Sequence, residues 1–108
     1  MDFKEVAQVN QISPGTMQSF KVGDRQILIA NLDGKFYALN NICPHAGGDL
    51  SKGKLEGKTV TCPNHGSKFD VTTGICTSGP KIGFFKLKAK DASAHELKLE
   101  GNSIKIAI

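Results

Sequence analysis

Cysteine and histidine occur together in two short segments of this 108-residue chain. The first segment reads C-P-H from Cys43 to His45, and the second reads C-P-N-H from Cys62 to His65, with sixteen residues between them. Thiolates and imidazoles bind soft and borderline transition metals, and four such side chains complete one site. The pattern C-x-H-x16-C-x2-H therefore predicts a metal centre held by Cys43, His45, Cys62 and His65.

Two kinds of metal centre fit these four side chains. Zinc binds two thiolates and two imidazoles tetrahedrally, although structural zinc fingers usually take a cysteine pair from one segment and a histidine pair from another. Here each segment offers one residue of each type, which suits an asymmetric cluster with both cysteines on one iron and both histidines on the other. The pattern favours the iron cluster and leaves zinc open.

Residue patterns typical of an independent catalytic site are absent from the sequence. No nucleophile stands beside a base, no pair of carboxylates suggests an acid and a base, and no glycine-rich loop precedes a phosphate-binding lysine. We therefore predict no catalytic residues.

The elements that must position the metal ligands are predicted to be strands, because apolar and polar residues alternate and no long stretch carries a helical stripe. Arg25 to Leu32 and Lys35 to Leu39 flank an Asp-Gly pair, which is a strong hairpin signal. His95 to Glu100 and Ser103 to Ile108 flank a Gly-Asn pair in the same way. The sequence predicts an all-β fold.

Other segments alternate over shorter lengths and add to this sheet structure. The additional predicted strands are Met17 to Val22, Lys58 to Cys62, Ser67 to Val71 and Gly83 to Ala89. The C-terminal side chains expected to face the core are Leu97, Leu99, Ile104, Ile106 and Ile108.

The composition changes between Leu39 and Pro80, where seven glycines, three prolines and all three cysteines are found. Neither a linker nor a low-complexity tract separates this segment from the rest. We predict one domain over residues 1–108, with a loop-rich metal-binding subdomain at about residues 40–80 inserted in the β-core.

Charge and hydropathy limit the partners and the location of the chain. The formal net charge of +4 comes from 14 basic and 10 acidic residues scattered along the sequence, a mild excess that suits an acidic partner surface and does not indicate nucleic acid. Neither a membrane-spanning apolar run nor a signal-peptide layout is present, so a cytoplasmic location without membrane contact is expected. Three cysteines do not form a disulfide framework.

The two segments and their surroundings resemble the Rieske proteins, and within them the small soluble Rieske-type ferredoxins. The matching residues run from Cys43 to Gly48 and from Cys62 to Asp70, and the Asp-Gly, Thr-Gly and Ser-Gly-Pro turns elsewhere also fit that family. The resemblance implies an antiparallel β-sandwich that carries one 2Fe-2S cluster per chain. It also implies that Cys43 and Cys62 bind one iron, and that His45 and His65 bind the other.

The resemblance further implies residues that surround the cluster. Gly47 and Gly66 would let backbone amides approach the sulfides, Ser67 would donate its hydroxyl to a bridging sulfide, and Pro80 would belong to a loop that covers the cluster. In high-potential members of the family a disulfide links the two cluster loops. The corresponding positions here are Gly48 and Asn64.

Three features bear on the reduction potential. The missing disulfide and the phenylalanine at position 69, where high-potential members have a tyrosine donor, place the expected potential in the lower half of the family range, and the Ser67 hydroxyl is expected to raise it somewhat within that range. The resemblance implies a one-electron carrier between a flavin-dependent reductase and a terminal oxygenase or similar acceptor.

Two alternatives remain open at this stage. The chain could be the small Rieske-like subunit of a nitrite reductase, or a zinc-stabilised interaction module. Cys76 is expected to be a buried structural residue, and His95 a surface strand residue without a functional role.

Overall fold

The computed structural model describes residues 2–44, 47–64, 66–79 and 90–108, and the backbone of residues 81–82 and 85–86. The described chain is all-β, as predicted, and its helical structure is limited to two single 3-10 turns, Val9–Gln11 and Leu50–Lys52. The strands are β1 Phe3–Gln8, β2 Met17–Val22, β3 Arg25–Leu32, β4 Lys35–Asn40, β5 Lys54–Glu56, β6 Thr59–Thr61, β7 Lys68–Asp70, β8 Cys76–Ser78, β9 Lys81–Ile82, β10 Phe85–Lys86, β11 Ala94–His95, β12 Leu97–Glu100 and β13 Ser103–Ala107.

Two antiparallel sheets form the β-core. One has the strand order β11-β4-β3-β2, and the other has the order β1-β13-β12. A cluster of buried side chains lies between them, with Ile27 and Ile29 from the first sheet and Ile104 and Ile106 from the second. The predicted hairpin of β3 and β4 is present, and Asp33 at its turn has the positive φ of 53° that the Asp-Gly pair predicts.

A third antiparallel sheet, β5-β6-β7-β8, lies within the segment for which a subdomain was predicted. Its inner face carries Val60 and Phe69, which are fully buried against Leu28 and Leu39. Strand β3 is consequently covered on both faces, because Ile27 and Ile29 face one cluster while Leu28 and Ala30 face the other. This accounts for the continuous apolar run in β3, where a half-exposed strand would alternate.

The C-terminal hairpin differs from the prediction in two respects. Leu99 is 47% exposed instead of facing the core, because β12 is the outer strand of its sheet and Leu99 lies near the hairpin turn, at the edge of the core. His95 does not belong to this hairpin, since it pairs with Ala38 in β4 as part of β11. Ile104 and Ile106 are buried as predicted.

Some of the structure was not predicted, and some predictions fall outside the described residues. Strand β1, which pairs with β13, has no clear alternating pattern and was missed. Of the predicted strand over residues 83–89, the structure describes only the backbone pairing of Phe85 and Lys86 with β9. Among the described residues, none belongs to a helix with the length and apolar character that a membrane span requires.

Candidate metal centre

The first predicted ligand loop closes on itself through the backbone of Cys43. The Cys43 amide donates to the carbonyl oxygen of Gly48 at 2.8 Å, and the Gly47 amide donates to the carbonyl oxygen of Cys43 at 3.0 Å. Gly47 has a φ of 67°, a conformation that side chains with a Cβ rarely adopt. The loop therefore turns sharply just after residues 45 and 46, which lie outside the described residues.

The second predicted ligand loop has the same hydrogen-bonding scheme. The Cys62 amide donates to the carbonyl oxygen of Ser67 at 2.8 Å, and the Gly66 amide donates to the carbonyl oxygen of Cys62 at 3.2 Å. Gly66 has a φ of 75°, which matches Gly47 in the first loop. Each cysteine is thus the first residue of a five-residue turn, and the fifth residue is a glycine with positive φ. Both segments read C-P-x-x-G in the sequence, which is the local signal for this repetition, although their histidines stand at different offsets.

The structure brings the two cysteines into one apolar environment. Cys43 and Cys62 are each 2% exposed, and both belong to the buried cluster that contains Leu50 and Phe69. None of the cysteines is in a disulfide. The loops are also in close contact, because a Cβ placed on Gly48 would lie 2.9 Å from the Sγ of Cys62 and 3.0 Å from the Cγ of Asn64.

A buried polar network holds the ends of the first loop together. The fully buried Asn41 donates from Nδ2 to the carboxylate of Asp49 at 2.8 Å and accepts from the amide of Ser51 at 2.9 Å. Ser51 also donates its hydroxyl to Asp49 at 2.5 Å. Ile42 and Asp49 form an isolated β-bridge beside these contacts. Asn41 and Asp49 stand just before and just after the loop, so the network fixes its two ends.

The carboxyl of Asp49 is kept ionised by this network. Burial tends to raise the pKa of Asp49, but the hydrogen bonds from Ser51 and Asn41 and the charge of Lys52 outweigh it and lower the pKa from its ordinary value. Sequence reasoning missed Asn41, Asp49 and Ser51. The available signal was an Asp-x-Ser turn after the first ligand segment.

An equivalent turn follows the second loop. Asp70 accepts hydrogen bonds from the hydroxyl and the amide of Thr72, at 2.6 and 2.9 Å. These bonds, together with Lys58 at 3.4 Å, lower the pKa of Asp70 against the opposing effect of burial, with the Thr72 hydroxyl as the largest influence. Each cysteine loop is therefore followed by an aspartate that caps a short polar turn.

Cys76 lies beside the ligand loops without belonging to them. It is half-buried in strand β8, where it pairs with Phe69 and packs against the cluster that holds Cys43 and Cys62. Burial raises the pKa of the Cys76 thiol, and the neighbouring Asp91 and Cys43 raise it further. The predicted buried position is thus only partly correct, since one side of this edge strand remains open.

His95 is half-buried, although a surface position was predicted. Its Nε2 lies 2.6 Å from the Oδ1 of Asn40, and burial lowers its pKa, helped by the charge of Arg25 and opposed by a hydrogen bond with the backbone of Ala107. The residue ties β11 to β4 in the core sheet. It is not among the residues around the two loops.

The remaining predicted ligands, His45 and His65, lie outside the described residues, as does Pro80. Ser67 is described and is 1% exposed. Two thiols buried in the same apolar cluster fit a group that needs soft anionic donors and protection from water. The donor set that the structure describes therefore fits the sulfur-bound half of the predicted cluster.

Residues 2–88 match the family model of the Rieske [2Fe-2S] domain. Among curated proteins, the ferredoxin component of the naphthalene 1,2-dioxygenase/salicylate 5-hydroxylase systems of Ralstonia sp is 31% identical over 96 residues, covering 89% of this chain and 86% of the relative. The ferredoxin component of biphenyl 2,3-dioxygenase from Rhodococcus jostii is 38% identical over 80 residues, covering 74% of this chain and 75% of the relative.

Solved structures show the same fold. The ferredoxin of carbazole 1,9a-dioxygenase from Nocardioides aromaticivorans has a TM-score of 0.79 at 27% identity. The match covers 99% of this chain and 98% of that ferredoxin chain. A second similar structure is a chain from the complex of reduced oxygenase and oxidized ferredoxin in carbazole 1,9a-dioxygenase. Its TM-score is 0.84 at 26% identity, and the match covers 97% of this chain and 92% of that chain.

Proposed function

This chain belongs to the Rieske [2Fe-2S] domain family, and from that membership we propose that it passes single electrons from a flavin-dependent reductase to a terminal oxygenase. It binds one 2Fe-2S cluster per chain, the cofactor of that family. When bound, the cluster takes up and releases one electron. The relatives compared above are ferredoxin components of dioxygenase systems, which favours an electron carrier over a nitrite reductase subunit or a zinc module.

We assign the ligands to Cys43, His45, Cys62 and His65. The observation that supports this assignment most strongly is the shared geometry of the two loops, each of which buries its cysteine and closes with a left-handed glycine. In this proposal Cys43 and Cys62 hold one iron and His45 and His65 hold the other. No residue is assigned a catalytic role, so the chain transfers electrons without an active site of its own.

Residues close to the ligands have supporting roles in this proposal. The backbone amides near Gly47 and Gly66 would approach the bound cluster, in turns whose positive φ favours glycine. Ser67, which is buried, would donate its hydroxyl to a sulfide of the bound cluster, and Pro80 would belong to a loop that covers it. The ligand loops form a subdomain at about residues 40–80 of a single domain spanning residues 1–108. A reducing cytoplasm is the location that suits three cysteines outside disulfides.

The test of the cofactor is an EPR spectrum of the aerobically purified protein before and after dithionite, with iron and zinc quantified on the same sample. We expect an oxidised state without signal, a reduced state with the low average g value of mixed imidazole and thiolate ligation, and two irons per chain. A coulometric titration should take up one electron per chain. Stoichiometric zinc with no EPR signal in either state would contradict the electron-carrier function.

A further inference from the structure

We propose that the outer face of the β5-β6-β7 sheet docks an acidic face of the redox partner, with Lys54 and Lys68 as the contact residues. The inference rests on the proposed function, because it concerns the surface through which the carrier meets the protein that exchanges electrons with it. On this face, the basic side chains lie next to the Cys62 loop and the acidic side chains lie further from it.

Lys54 and Lys68 lie in one row across three strands. Lys54 pairs with Thr61, and Thr61 pairs with Lys68. Directly paired residues of antiparallel strands project from the same face of a sheet. The inner face carries the buried Val60 and Phe69, so this row points outward, where both lysines are exposed. Their backbones stand two strand spacings apart, roughly 10 Å.

The row is next to the second ligand loop. Thr61, the partner of both lysines, directly precedes Cys62. Lys68 directly follows Ser67, whose carbonyl oxygen accepts the hydrogen bond of the Cys62 amide. An open depression of about 430 Å³ extends from this end of the sheet to the loop, and its lining includes Lys52, Lys54, Cys62 and Pro63. A group bound by the lysines would therefore lie beside the proposed cluster site.

The next row away from the loop has the opposite charge. Glu56 pairs with Thr59, and Thr59 pairs with Asp70. Asp70 is already matched by Lys58 at 3.4 Å. In contrast, the ion pairs of the described residues include neither Lys54 nor Lys68. The face is thus basic beside Cys62 and acidic or neutralised further away, an arrangement that attracts an acidic surface and orients it toward the ligand loop.

Protection of a sheet edge accounts for only one of the two lysines. Strand β5 is an edge strand, and lysine on an edge strand discourages edge-to-edge association. Strand β7, however, lies between β6 and β8, so Lys68 protects no edge. The net charge of +4 adds a general attraction for acidic proteins, and the row of Lys54 and Lys68 determines which face of this chain the acidic partner meets.

The first test measures binding of a defined acidic probe, fluorescein-labelled hexaglutamate, by fluorescence anisotropy at low ionic strength. The variant is the double substitution Lys54→Glu/Lys68→Glu. The control is Lys4→Glu/Lys35→Glu, which alters net charge equally at exposed positions in the core sheets.

We expect the Kd to rise at least about tenfold in the first variant and by less than about threefold in the control. Equal effects in both variants would overturn the proposal. This readout does not require a cluster, so it distinguishes failure of the docking surface from failure of the proposed function.

The second test links the surface to electron exchange. The dithionite-reduced protein is oxidised in a stopped-flow instrument by anionic ferricyanide and by cationic tris(phenanthroline)cobalt(III), with EPR integration confirming equal cluster content. The ratio of the anion rate to the cation rate should fall about tenfold or more in Lys54→Glu/Lys68→Glu, should change little in the control, and should approach the same value in all proteins at high salt. An unchanged ratio in the first variant would show that electron transfer takes place through another surface of the protein and would reject the proposal.

Discussion

Gly48 packs directly against the thiol of Cys62, so that a Cβ on the glycine would lie 2.9 Å from Sγ. This contact joins the two ligand loops, which are otherwise separated along the chain. It also bears on the positions where high-potential Rieske proteins carry a disulfide, since the same Cβ would lie 3.0 Å from the Cγ of Asn64. Here the absence of a side chain at Gly48 lets the two loops approach each other closely.

Substitution Gly48→Ala should loosen the metal centre. The added methyl group cannot occupy its position unless the Cys62 thiol or the Asn64 side chain moves, and such overpacking costs about 1 to 3 kcal/mol. We expect a lower iron content per chain and faster bleaching of the visible absorbance by a chelator. Gly101→Ala is the control, because Gly101 has a φ of 58° and open space around its Cβ position, remote in the fold at the turn between β12 and β13. That variant should lose stability through backbone strain and keep its iron. Full iron content in Gly48→Ala would contradict the packing argument.

Substitution Asn41→Ala should destabilise both the fold and the first ligand loop. It removes the side-chain hydrogen bonds that Asn41 makes with Asp49 and Ser51, which then keep only their contacts with each other, and the loss of two such bonds costs about 1 to 3 kcal/mol. The free energy of unfolding in urea measures the first effect, and the rate of iron loss measures the second.

Asn31 supplies a matched control for this prediction. It is also a buried asparagine with two hydrogen bonds, from its Nδ2 to the carbonyl oxygen of Ile12 and from the amide of Gly34 to its Oδ1. Asn31→Ala should lose similar stability without faster iron loss, since these contacts hold the β3-β4 hairpin. Equal iron-loss rates in the two variants would show that the Asn41 network does not specifically support the ligand loop.

Much of this architecture could be predicted from local signals. The Asp-Gly pair fixes the β3-β4 hairpin, and the cysteine spacing identifies the loops. The network around Asn41 could be predicted only in part: the Asp-x-Ser turn is visible in the sequence, but a single asparagine has no periodic signature and its partners lie eight and ten residues away. Leu99 was wrongly predicted to face the core, because the alternation of apolar and polar residues shows only which face of the sheet a residue occupies. It does not show whether another element covers that part of the face.

Acid should destabilise the protein partly through Asp70. The pKa of this carboxyl is lowered in the folded state, so its stabilising contribution is complete above the ordinary aspartate pKa of about 3.9 and is lost as the pH falls through the lower folded value. Asp70→Asn should therefore reduce the free energy of unfolding at pH 7, and its difference from the wild-type protein should shrink in strongly acidic solution. Urea unfolding at several pH values measures this difference. The exposed Asp24, substituted by asparagine, serves as the control. A constant difference between Asp70→Asn and wild type at every pH would contradict the linkage.

Cys76 should be dispensable for cluster binding, although it packs against the buried group of side chains that includes both proposed cysteine ligands. Its Sγ lies 3.4 Å from the carbonyl oxygen of Ser78, and the side chain fills the inner face of β8 next to Phe69. Cys76→Ala removes one partly buried sulfur, so we expect a loss of about 1 kcal/mol of stability with two irons per chain retained. Cys43→Ala and Cys62→Ala should each abolish the EPR signal of the reduced protein. Metal analysis and EPR of the three variants, purified side by side, decide the assignment. If Cys76→Ala lost the signal while either of the other variants kept it, the proposed ligand set would have to change.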